Sequence, residues 1–217
     1  MITQRQSFGT WRGISLEIAA WDAAHAEVDL SAACMFTHET AKTGFKGGLL
    51  HLDQALSGTL TALRRSGEFK ADFMEPLLIS KPPTTVKAKA VLLIGLGNPS
   101  SWTAEASAHA VATVVRAAVY RGDQSMAFAP SLLDSGLSPD QTGGVAFNMV
   151  RAVIEMIEMQ MRIAERGLAC APVLQRIVFD VGSSRVDATT EFFRESFERV
   201  ALSMSATSVN DPVSAKG

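Results

Sequence analysis

From Gly13 the chain alternates apolar and polar residues through Ile14, Ser15, Leu16, Glu17 and Ile18, the period-2 signature of a half-buried strand. A second extended segment is read over residues 26–36, its alanines weakening the pattern. Beyond the glycine-rich turn at residues 43–48, Leu49, Leu52, Leu56, Leu60 and Leu63 recur at helical spacing and predict one amphipathic helix. Arg64 and Arg65 fall in its last turn, where cations complement the helix dipole, and Gly67 ends it. Residues 76–80 read as a short strand. The turn Lys81-Pro82-Pro83 then leads to residues 88–94, a continuous apolar run of the kind buried on both faces.

Thr103 stands as N-cap of an Ala- and Val-rich helix running to about residue 120. Strands are predicted at 124–128 and 175–181. A long helix after Thr142 carries the apolar stripe Val145, Met149, Val153, Met156, Ile157 and Met161, and a last helix over 188–204 is capped by Asp187. Met159 lies off the stripe and is expected to face outward, towards an oligomer partner. Residues 1–12 read as an irregular polar arm, 130–144 as a long loop rich in Pro and Gly, and 205–217 as a flexible tail. The order β-β-α-β-β-α-β-α-β-α predicts one α/β domain over residues 13–204, with a mixed, mostly parallel sheet flanked by helices.

Composition narrows the function classes. The 217 residues carry 20 Lys+Arg against 22 Asp+Glu, a formal charge of −2, which disfavours nucleic acid as a partner. No apolar run approaches the roughly 20 residues that span a bilayer, and no secretory leader is visible in the sequence, so a cytoplasmic location is expected. Cys34 and Cys170 lie far apart and are read as two buried, reduced thiols. The histidines His25, His38, His51 and His109 form no ligand-type pair, so no metal site is expected. No nucleophile elbow is present, and carboxylates such as Asp53, Asp134 and Asp180 are isolated in sequence.

Anion binding is the chemistry best supported by spacing. Glycine-bearing loops at 44–48, 95–98 and 142–144 follow strands or open helices, where backbone amides can approach a phosphate and the helix dipole favours negative charge. In α/β sheets such loops gather beyond the carboxyl ends of the strands. Gly47, Gly48, Thr142, Gly143 and Gly144 are the candidate backbone donors, with Ser183 and Ser184 lining the pocket. Phe45 and Leu132 are the side chains placed to fill such a cleft.

Four short motifs add a family resemblance. They are Asp53-x-Ala55-Leu56, Gly67-Glu68-Phe69-Lys70, Leu93-x-Gly95-Leu96-Gly97 and Thr103-Ala104-Glu105. Together they resemble the N-terminal domain of the leucyl aminopeptidase family of metallopeptidases, which in turn resembles the macro domain, a module that commonly binds ADP-ribose. Gly47-Gly48 opening a helix, residues 125–130 before the long loop, and Phe179-Asp180 before the last helix echo the macro domain. The resemblance implies a three-layer, macro-domain-like α/β fold. Its family keeps metals and catalytic residues in a C-terminal domain marked by Asn-Thr-Asp-Ala-Glu-Gly-Arg, whereas Asn98, Asn148 and Asn210 stand in other contexts here. No catalytic residue and no cofactor is therefore carried over. The implied role is non-catalytic, in binding, regulation or assembly, as a homo-oligomer or beside a separate peptidase subunit. The alternative is an ADP-ribose- or nucleotide-binding macro-type module, or an ADP-ribosyl hydrolase, taking a small phosphorylated ligand. Against that alternative, the asparagine-rich strand end of macro domains would fall at residues 33–38, where this chain has no asparagine.

Overall fold

The computed structural model describes residues 5–40, 42–132, 144–181 and 186–209. At its centre lie strands β3 (Leu30–Phe36) and β5 (Ala90–Gly97), buried at every position. Alternation sends Leu30, Ala32, Cys34 and Phe36 of β3 to one face and Ala33 and Met35 to the other; Leu92 and Ile94 of β5 oppose Val91 and Leu93 in the same way. Each face therefore needs its own cover. Helices α3 (Ala104–Arg121), α4 (Val145–Glu165) and α5 (Val186–Val209) pack on the first face, and α1 (Gly47–Ala55) and α2 (Thr59–Ser66) on the second. The result is the three-layer α/β architecture expected from the resemblance.

The remaining strands are β1 (Arg5–Trp11), β2 (Ile14–Ala19), β4 (Pro76–Ile79), β6 (Ser125–Ala129) and β7 (Arg176–Asp180), and the sheet order is β1-β2-β7-β6-β3-β5-β4. The run from β2 to β5 is parallel, and only the edges β1 and β4 pair antiparallel. The chain passes from β5 through α3 to β6 on the far side of β3, so connections leave in opposite directions at the β3/β6 boundary. The opposite end of the sheet is tied down. Asp29 accepts hydrogen bonds from the backbone N–H of Gln124 and of Ser125 (both 2.9 Å) and from the Ser125 hydroxyl (3.0 Å), and pairs with Lys89 (2.6 Å).

Several expectations are corrected. Residues 5–11 form an edge strand within the segment read as an irregular arm; Phe8 is its buried residue. Arg12 and Gly13, at φ 50° and 81°, make the two-residue turn that closes the β1–β2 hairpin. The Arg12 Nε and Trp11 Nε1 groups both donate to Glu158 of α4, at 2.7 and 2.9 Å, which fixes the hairpin to the helical layer. The leucine-rich helix is two helices, broken at Ser57 and Gly58, both left-handed. Asp53 caps the second, accepting from the N–H (3.0 Å) and hydroxyl (2.6 Å) of Thr61, so it is structural rather than an acid or base. Thr103 occupies the N-cap position of α3 without a side-chain bond. Asp187 lies in the first turn of α5 and accepts from Gln6, and the α5 backbone continues to Val209, past the expected start of the tail. Cys34 is buried as expected, but Cys170 is exposed. No helix among the described residues is long and apolar enough to cross a membrane.

Burial, with a smaller contribution from Glu39, pushes the Cys34 thiol far above its ordinary range. Ellman's reagent is expected to modify one thiol per native chain, at Cys170, and Cys34 only after unfolding; rapid modification of both in the native protein would contradict this packing. A Cβ at Gly95 would collide with the Asp72 carbonyl oxygen of the segment folded over the end of β5. Gly95→Ala is expected to cost about 3 kcal/mol, read as a lowered urea midpoint with unchanged slope.

Candidate functional site at the carboxyl ends of the strands

Two helices begin beside the β3/β6 boundary, on opposite faces of the sheet. Helix α1 opens at Gly47, whose φ of 50° turns the chain into the helix, and Lys46 at the N-cap supplies no side-chain cap. The first-turn amides of a helix find no acceptor within it, so this end favours an anion. Helix α4 opens after Gly144, at φ 77°, also without a side-chain cap. A Cβ on Gly144 would meet nothing within 4 Å, so glycine serves conformation there; a Cβ on Gly48 would sit 3.3 Å from Asp22 Cβ, so glycine there permits close approach. The loop preceding α1 is held by Arg64, which donates to the carbonyls of Thr37 (2.7 Å), Glu39 (3.1 Å) and Phe69 (3.0 Å).

Asp22 follows β2 and organises two imidazoles. One carboxylate oxygen accepts from the N–H of Ala24 (2.9 Å) and of His25 (3.0 Å) and pairs with His25 Nδ1 at 2.8 Å; the other pairs with His51 Nδ1, also at 2.8 Å. His51 lies one turn along α1 from Gly48, which brings β2's exit and α1's start together. The Trp21 N–H donates to Asp180 (2.9 Å) at the end of β7, so Asp180 holds the β2 exit in place. The Asp22 side chain is 15% exposed, the His25 and His51 side chains 63% and 53%. With each Nδ1 committed to Asp22, Nε2 is the ring nitrogen available to a ligand. Burial raises the Asp22 carboxyl, but the hydrogen bonds from His51 and His25 outweigh it and hold the group below its usual range.

Of the sequence-derived candidates, Gly47, Gly48 and Gly144 lie at this end of the sheet. Thr142, Gly143, Ser183 and Ser184, like Asp134, lie outside the described residues. Phe45 and Leu132 are both buried in the core, on opposite sides of the sheet. The residues that sequence reasoning missed are Asp22, His25 and His51. The Asp22-x-x-His25 spacing was visible, but His51 joins only through the tertiary fold. No group of three or more His, Cys, Asp or Glu among the described residues is placed to hold a metal.

The segment that builds most of this end, from the last residue of β3 to the loop after β6, has a recognisable relative. Residues 36–134 match the cytosol aminopeptidase family, N-terminal domain. His51 lies inside the matched segment; Asp22 and His25 lie outside it. A mutant of tomato leucine aminopeptidase shares the fold at a TM-score of 0.64 and 18% identity, over 88% of this chain. The match spans 37% of the tomato enzyme. A mutant macrodomain of Oceanobacillus iheyensis aligns with TM-score 0.60 and 11% identity over 94% of this chain and 96% of its own. The same organism's macrodomain with ADP aligns with TM-score 0.57 and 12% identity, over 94% of this chain and 100% of its own. At these identities the likeness is one of fold. No curated protein matches the chain in sequence.

Because the Asp22 value is lowered on folding, its contribution to stability is complete above the ordinary value of 3.8 and is lost as pH falls through the lower folded value. Asp22→Asn is therefore expected to be less stable than the parent at pH 6, with the gap closing in strong acid. Urea midpoints at the two pH values check it, and a gap that widens on acidification would contradict it.

Proposed function

We propose that the chain is a ligand-binding domain of macro type, related to the aminopeptidase N-terminal domain, and that it takes a small nucleotide-like phosphorylated ligand at the β3/β6 boundary. The observation that carries this reading is the convergence of the uncapped α1 terminus with the two Asp22-held imidazoles. Helix-terminal amides donate to phosphate oxygens, His25 and His51 donate from Nε2 when in the imidazolium form because Asp22 takes each Nδ1–H, and glycine at 47 and 48 keeps side chains from blocking the approach. The likeness to macrodomains across almost the whole chain, one of them solved with ADP, supports the same ligand class. Asp22 positions the histidines, and Arg64 keeps the loop before α1 in register.

Isothermal titration with ADP-ribose and with ADP tests the reading. Micromolar binding of at least one is expected, weakened about tenfold by His51→Ala, which corresponds to about 1.4 kcal/mol. Absence of heat from both ligands at about 100 μM protein would overturn it.

A further inference from the structure

On the helical face remote from α1, a cavity of about 490 Å³ runs between α3 and α4. Its floor is made by small or flexible apolar residues, Ala108 and Ala112 of α3 with Ala152 and Met156 of α4. Such a floor admits the close approach of another helix without filling the groove itself. Glu105 and Arg151 pair across one end at 2.9 Å. Further along, Arg116 and Glu155 line the groove and, among the described residues, neither side chain makes an ion pair or hydrogen bond. Met159 lines the same groove and is exposed, and Tyr120, one turn beyond Arg116, is 71% exposed. The apolar surface thus extends past the cavity at the Arg116 end.

The placement of the two unpaired charges identifies the occupant. Both helices follow parallel strands and return along the sheet, so they run side by side in the same direction. Taking the Glu105–Arg151 pair as a common level, a rise of 1.5 Å per residue puts Glu155 roughly 6 Å and Arg116 roughly 16 Å along the groove. A two-fold axis perpendicular to the groove, midway between those levels, exchanges them. It sets each Arg116 opposite the partner's Glu155, twice, around the alanine floor. One positive and one negative group at different levels on a single surface make that surface self-complementary under a two-fold axis, as an isologous contact requires.

We propose that the α3–α4 groove is the contact face of a homodimer in which Arg116 of each protomer pairs with Glu155 of the partner subunit. The contact lies on helices α3 and α4, and its test does not depend on which ligand, if any, binds beside α1.

Light scattering on the size-exclusion eluate decides it. The parent chain is expected to reach about 46 kDa, twice its 23.2 kDa, at about 100 μM loading. Arg116→Glu and Glu155→Arg each place like charges together at both contacts, so each single variant is expected to weaken the dimer at least tenfold. Arg116→Glu combined with Glu155→Arg restores opposite charges at both contacts and is expected to recover the dimer. Circular dichroism, expected to be unchanged at these surface positions, separates loss of contact from loss of fold. A monomeric parent at this concentration would overturn the proposal and leave the groove to a different protein or to none. A dimer insensitive to both single variants, or a folded double variant that stays monomeric, would overturn it as well.

Discussion

Burial of β3 and β5 on both faces is the constraint from which the rest of the structure follows. Neither strand has a side that tolerates water, so helices must cover the sheet above and below, and parallel strands must be joined by crossovers that supply those helices. Once the strands run parallel, every crossover starts at the same edge. The carboxyl edge thus collects the helix amino termini, with their unpaired amides and positive partial charge. The amino edge is closed by Asp29, which gathers Gln124, Ser125 and Lys89 around one carboxylate, and the start of α2, which lies towards that edge, is capped by Asp53. The asymmetry between an open edge and a pinned one comes from the core, and the position of the candidate site comes from the asymmetry.

Within the open edge, backbone carbonyls are held by charged groups rather than left to water. Arg64 gathers three carbonyls from two loops with one planar guanidinium, a task for which a lysine lacks the geometry. Its charge is kept at a cost, since burial lowers the Arg64 value against the pull of Glu75 and Glu39. The loop before α1 and the segment that crosses β5 are therefore tied to each other through Arg64. The Asp22 pair of imidazoles rests on the neighbouring β2 exit, fixed through Trp21 to Asp180.

How much of this was legible in the sequence depended on how each element is buried. The apolar run of β5 and the 3.6-residue stripe of α4 were plain, because burial on one or both faces leaves a periodic record. Strand β1 was not, since an edge strand with one core residue, Phe8, shows almost no alternation, and the left-handed turn at Arg12 and Gly13 is visible only in the structure. The break between α1 and α2 was hidden because both helices face the same layer, so the leucine spacing continues across Ser57 and Gly58. For the candidate site, the glycines at 47, 48 and 144 could be read as openings to helices. The Asp22, His25 and His51 cluster could not, because it depends on the contact between the β2 exit and α1 that only the folded sheet provides.

The two antiparallel edges of the sheet have a consequence for how molecules of this protein meet. Strand β1 carries a register irregularity between Ser7 and Gly9, and β4 is only four residues long, begins at Pro76 and is followed by Pro82 and Pro83. A kinked strand and a proline-bounded one both make poor templates for a further strand. Growth of the sheet from one molecule into the next, the geometry of fibrils, is thereby obstructed at each side. Contacts in concentrated solution are left to the helical layers, where side chains rather than free backbone groups govern which surfaces adhere.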